Sequence, residues 1–181
     1  VAQIRLPDCT QDLELPDMTP AQAAAAGCKT MLLGVANAGG FVPDHWVPTI
    51  IEALEAGMDV MAGMHKRMAD IPAIAEAAKM HGRTLFDVRQ PSQDFKVGKG
   101  YDRRGKRVLT VGTDCSLGKM FTSLALEKEM KAQGMNATFR ATGQSGIFIV
   151  GEGVAVDGVI SDFIAGAIEW LCPDNDPDHW D

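Results

Sequence analysis

The residues with the plainest chemical promise are two glycines and a lysine. Gly112, Gly118 and Lys119 meet the pattern G-x-x-x-x-G-K, with Thr113, Asp114, Cys115, Ser116 and Leu117 between the glycines. Glycines let the backbone curl until successive N–H groups point inward, and a following helix adds the positive end of its dipole. Lys119 then brings a full charge to phosphate oxygens. The next position, normally a Ser or Thr whose hydroxyl holds Mg²⁺, is Met120. Ser116 and Thr122 are nearby hydroxyls, but neither stands at the expected place. A loop that only clasps a pyrophosphate, such as that of coenzyme A, needs no metal hydroxyl. The plainer alternative is a tight strand-to-helix turn that contains a lysine. A buried strand before the loop and a helix after it favour anion binding.

Other candidates follow apolar runs. "FRATGQSG" (139–146) closes a strand, so Arg140, Gln144 and Ser145 fall where open parallel sheets bind ligands; the alternative is a solvated surface turn. "GVANAGG" (34–40) and "GMHKR" (63–67) hold the equivalent places earlier in the chain, with Asn37 and His65 best placed to meet a ligand. His65 has the chemistry of a general base near neutral pH, and equally that of a hydrogen-bonded loop histidine. Cys115, near a helix N-terminus, is either an activated thiol or simply a small loop residue. The basic run Lys96, Lys99, Arg103, Arg104, Lys106 and Arg107 would either reach a 3′-phosphate or substrate carboxylates, or form a solvated hinge.

These residues need elements to hold them. Apolar runs at 28–40, 58–65 and 83–89 read as strands, and helical spacing at 46–57 and 71–82 as helices, with Pro early and Gly late. A short helix from Thr19 precedes them. This alternation predicts a parallel sheet covered on both faces. After the Gly- and Lys/Arg-rich stretch, a second series reads as strand 107–111, helix 119–133, strand 136–146 and helix 157–171, with Asp157 as N-cap. The expected architecture is α/β: a Rossmann-like unit over 1–95, a linker over 96–106, and a partial P-loop NTPase-like domain over 107–181. "PDHW" occurs at 43–46 and 177–180 without longer repetition around it.

The chain has 181 residues, 46% of them hydrophobic, and a net charge of -7. That balance argues against broad nucleic-acid binding, and no apolar run is long enough for a membrane span. Cys9, Cys28, Cys115 and Cys172 lack metal or disulfide spacing, so free thiols are expected and no metal site. A cytoplasmic, homo-oligomeric enzyme acting on small molecules fits best. Val1 in place of Met, and an end at Trp180–Asp181 where another strand could begin, read as an internal segment of a longer chain.

Together, "RLPDC", "DLELPDMTPAQAAAAG", "GVANAGGFVP", "RVLTVGTDCSLGKMFTSLALEKEM" and "FRATGQSGI" resemble the family of D-glutamate N-acetyltransferases, long catalogued as a domain of unknown function. Met120 belongs to that family's pattern. The resemblance implies a Rossmann-like N-terminal domain joined to a phosphate-loop domain related to dethiobiotin synthetase, and acetyl transfer from acetyl-CoA to the amino group of D-glutamate. For that chemistry, position assigns Gly112–Lys119 to the CoA phosphates. By position too, Arg140, Gln144 and Asn37 are the candidates for carboxylate or oxyanion contacts, Ser145 for the substrate, and His65 for the base. The loop pattern taken alone leaves a second reading, a Mg²⁺- and ATP-dependent ligase or kinase.

Overall fold

A computed structural model describes residues 1–7, 9–35, 37–91 and 93–181. They form two compact units, Val1–Gln90 and Pro91–Asp181.

The first unit begins with helix α1 (Pro20–Ala25), opened by a capping box. Gln22 N donates to Thr19 Oγ1, and Thr19 N donates to the Gln22 side chain. Two otherwise orphaned donors are thereby satisfied. Thr19→Ala is expected to cost about 1 kcal/mol, read as a lower urea midpoint with an unchanged slope. Strands β1 (Thr30–Leu33), β2 (Asp59–Ala62) and β3 (Leu85–Asp87) pair in parallel in the order β1-β2-β3, linked by helices α2 (Val47–Glu55) and α3 (Pro72–Met80).

Two successive right-handed crossovers in one direction place α2 and α3 on the same face. There Ile50, Leu54, Val60, Ala62 and Ile74 are fully buried, joined by Met58 and Met68. Each large side chain of this kind contributes about 1.5–3 kcal/mol by leaving water. The opposite face carries the cross-strand row Leu32, Met61 and Phe86; Leu32 is 50% exposed and Phe86 40%. The expected cover on both faces is therefore corrected to one. A strand order that never reverses cannot send a helix to the other side.

The second unit departs further from expectation. Residues 107–111 are extended but pair only at their start, where Lys106 N donates to His179 O and Val108 N to Asp181 O. Trp180 also bridges to Ala137, so residues 179–181 lie between 106–108 and 136–138 as a rudimentary parallel ladder. Helix α4 (Lys119–Ala132) follows the glycine loop as expected. The stretch 136–146, read as a strand ending in a loop, instead bends at Gly143 into helix α5 (Gln144–Val150). The last helix, α6 (Ile164–Leu171), starts seven residues later than expected: 157 and 161–163 lie in separate 3₁₀ turns, and Phe163, not Asp157, occupies the N-cap. The unbroken apolar spacing of 159–168 concealed that break, since a 3₁₀ turn followed by a helix keeps the same buried side.

Val154, Ala167 and Leu171 centre a small core. Gly166 lets α6 come close to the preceding segment; a Cβ there would stand 1.8 Å from Lys96 O. The basic run belongs to this unit. Glu169 accepts from the N–H groups of Lys99 and Gly100 at 2.8 and 2.6 Å, and these bonds hold its carboxyl below the usual range.

Candidate functional site

The glycine loop begins where the extended 107–111 segment meets α4. Ser116 adopts φ 57° and Gly118 φ 89°, both left-handed, which turns the loop back over the helix start. For a serine that conformation carries a cost of about 1–2 kcal/mol, held in place by its surroundings. Gly112 sits close beneath: a Cβ would meet Leu117 Cδ1 at 3.2 Å and Lys119 Cδ at 3.3 Å. Below the loop, the Thr110 and Ser123 hydroxyls lie 2.8 Å apart, and each donates toward Lys119 O at 3.2 Å. This clamp fixes the strand end to the first turn of α4. It was not singled out from the sequence, where two hydroxyls thirteen residues apart carry no recognised pattern.

From Gly112 to Leu117 the loop is exposed, with Gly118, Lys119 and Met120 half-buried. Among the described residues, the N–H groups of Ser116, Leu117 and Gly118 donate to no protein acceptor. Cys115 N–H is engaged by Asp114 Oδ1 at 2.7 Å, and the Cys115 thiol lies 3.3 Å from the same oxygen. These bonds hold the Asp114 carboxyl below the usual range. Lys119 Nζ is folded onto the Asp114 carbonyl oxygen. Free donors, a lysine ammonium and a helix start suit a phosphate group. Met120 offers no oxygen to a metal.

Arg140 is already paired. Its Nε donates to Asp181 Oδ1 at 2.8 Å, and Nη1 lies 3.8 Å from Glu152. The Asp181 side chain is fully buried and also accepts from Asn175 Nδ2 at 3.1 Å, while His179 Nε2 stands 3.3 Å away, off hydrogen-bond geometry. Arg140 lines a recess of about 140 Å³ with Glu152, Gly153 and Trp170. Gln144 is half-buried and Ser145 exposed, in the first turn of α5. Among the described residues neither side chain hydrogen-bonds, and nothing joins them to the glycine loop.

The basic run is largely engaged inside its own unit. Arg103 donates to the Ile168 and Cys172 carbonyls, Arg104 pairs with Asp174 at 2.7 Å, and Arg107 donates to Pro173 O at 2.9 Å. Lys106 pairs with Asp178 at 3.0 Å and lies over the Trp180 ring. Such bonds at the last carbonyls of α6 act as a C-terminal cap. Only part of the run is thus open to a ligand phosphate.

In the first unit, the carboxyl ends of β1 and β2 hold Asn37 and His65. Gly40 makes their approach possible: its φ is 55°, and a Cβ would stand 2.5 Å from His65 Cδ2. Lys66 N donates to Gly40 O at 3.1 Å, and Gln90 Nε2 to His65 O at 3.1 Å. The His65 side chain is exposed. Asn37 Nδ2 donates to Phe41 O at 2.9 Å, which leaves Oδ1 buried without a partner. One of its two Nδ2 hydrogens is therefore engaged, and the other is left for a carboxylate or oxyanion. Nothing in the residue pattern announced that turn-closing bond. All four cysteines are free thiols. Among the described residues no helix is long and apolar enough to cross a membrane.

The comparisons with known proteins agree with this division. A family model described as a domain of unknown function, DUF1611_N, Rossmann-like, matches residues 5–91, and a second, DUF1611_C, P-loop domain, matches residues 94–181. A protein of Tritonibacter scottomollicae named D-glutamate N-acetyltransferase is 54% identical over all of this chain and 54% of its own length. One of a Pseudoalteromonas species with the same name is 49% identical, again over the whole chain and 54% of its own length. The chain thus spans about half the length of these relatives. The crystal structure of a DUF1611 family protein from Anabaena variabilis is 35% identical and superposes with a TM-score of 0.81 over 92% of this chain and 49% of that one. With a Rossmann-like half and a P-loop half both matched, the chain belongs to the DUF1611 family.

Proposed function

We propose that this chain is part of an acyltransferase that moves the acetyl group of acetyl-CoA to the amino group of D-glutamate. The observation that carries the reading is the name shared by two relatives about half identical along the whole chain. The glycine loop supports it, because its open N–H groups and Lys119 suit a pyrophosphate and its Met120 does not suit Mg²⁺.

In this reaction the amino nitrogen, once deprotonated, attacks the thioester carbonyl. A tetrahedral oxyanion forms, the C–S bond breaks, and the CoA thiolate leaves to take up a proton. The loop Gly112–Lys119 would hold the CoA phosphates. His65 would accept the ammonium proton, and Gln144 and Ser145 would meet the substrate or oxyanion. Arg140 would meet a substrate carboxylate only by sharing its guanidinium with Asp181, and Asn37 would offer the substrate its second Nδ2 hydrogen.

Acetyl-CoA should bind, by calorimetry, with the same affinity in EDTA as in Mg²⁺, and N-acetyl-D-glutamate should appear by mass spectrometry. Absence of both binding and product would sink the reading. The second reading, an ATP-dependent ligase, rests on the G-x-x-x-x-G-K pattern and requires Mg²⁺-dependent ATP turnover in the same preparation.

A further inference from the structure

Within the glycine loop, one residue works against the rest. Asp114 places a carboxylate among groups otherwise arranged for an anion. Its Oδ1 takes the Cys115 N–H at 2.7 Å, a donor that would otherwise face a ligand. Its carbonyl oxygen holds Lys119 Nζ, the loop's cation. The same residue therefore engages one donor and the charge that the phosphate needs. The carboxylate is ionised at neutral pH, because the Cys115 N–H and thiol stabilise its charged form.

An anion entering the loop must draw Lys119 away from Asp114 and then sit near a fixed negative charge. The penalty grows with the charge on the phosphorus groups, about threefold to tenfold in affinity per added charge at intermediate screening. A pyrophosphate diester carries one negative charge per phosphorus, whereas a terminal phosphate carries up to two. We propose that Asp114 is a specificity-determining residue that biases the loop toward a diester pyrophosphate, such as that within coenzyme A, and against terminal phosphates. This rests on the loop taking phosphates, as argued above. It gives Met120 and Asp114 a shared logic: one removes the metal ligand that a terminal phosphate needs, and the other adds a charge that a terminal phosphate resists.

The test compares dephospho-CoA, ADP and ATP binding to the whole chain in EDTA, with and without Asp114→Asn. Asparagine keeps an oxygen for the Cys115 N–H, so the unfolding midpoint should be unchanged. The expected result is a wild type that prefers dephospho-CoA. In the variant ADP and ATP should gain about threefold to tenfold more than dephospho-CoA does, and the gain should shrink in high salt. An unchanged preference in a variant that still binds all three would overturn the inference while leaving the loop's role intact. The ATP measurement repeated with Mg²⁺ in place of EDTA closes the other route: tighter ATP binding with Mg²⁺ in the wild type that is lost in the variant would overturn the inference by showing the carboxylate to be a metal ligand. A wild type that binds none of the three fails at the loop itself, and the inference falls with it.

Discussion

Lys119→Ala should weaken acetyl-CoA binding about 10–100-fold while leaving the fold intact. A charge-assisted hydrogen bond to phosphate is worth about 1.5–3 kcal/mol, and each 1.4 kcal/mol is tenfold in affinity. Lys119 is half-buried, and among the described residues its ammonium hydrogen-bonds only to the Asp114 carbonyl, so little structure depends on it. Its backbone carbonyl, by contrast, is held by Thr110 and Ser123, and that clamp survives truncation of the side chain. Calorimetry on both proteins gives the ratio, and matching thermal midpoints exclude unfolding as the cause. Equal affinities would remove the loop from CoA binding.

Gly166→Ala should destabilise the second unit by about 3 kcal/mol or more. The added methyl would stand 1.8 Å from Lys96 O, a backbone atom that cannot rotate away as a side-chain tip can. To admit it, the 95–98 segment must move off α6. That movement strains the bonds from Lys99 and Gly100 to Glu169 and the packing of Phe95 on Trp170, whose rings are 5.7 Å apart. Chemical denaturation measures the loss. Gly34→Ala is the matched control, since a Cβ there meets nothing within 4 Å, and it should shift stability by no more than about 0.5 kcal/mol. A Gly166 variant as stable as that control would mean that the close approach is not required.

The sequence spoke clearly where a local rule governs. Thr19 marked the start of α1, prolines and glycines bracketed α2 and α3, and the parallel series in the first unit followed from alternating apolar runs. It was silent where a remote partner decides. Whether 107–111 pairs along its length depends on residues 179–181, and the segment 144–150 is helical although "GQSG" reads as a loop. The site divides in the same way. Lys119 and its glycines were legible because phosphate geometry demands them at fixed spacing. The pairing of Arg140 with Asp181, 41 residues away, was not, because charge complementarity across such a distance leaves no periodic trace. The two copies of "PDHW" make the point in miniature: His45 is exposed in a 3₁₀ turn, while His179 is buried beside Asp181.

The rudimentary ladder through Trp180 has a consequence for a chain that emerges from the ribosome one residue at a time. Strands β1 and β2 need only about 30 residues between partners, so their pairing closes early. The bond between Lys106 and His179 must wait for about 70 more residues, roughly 4–14 s at ordinary rates of synthesis. Throughout that interval Val108, whose N–H ends on Asp181 O, stands without its ladder partner. The second unit is thus a late finisher, and its unpaired edge is exposed to misassociation longest in those seconds.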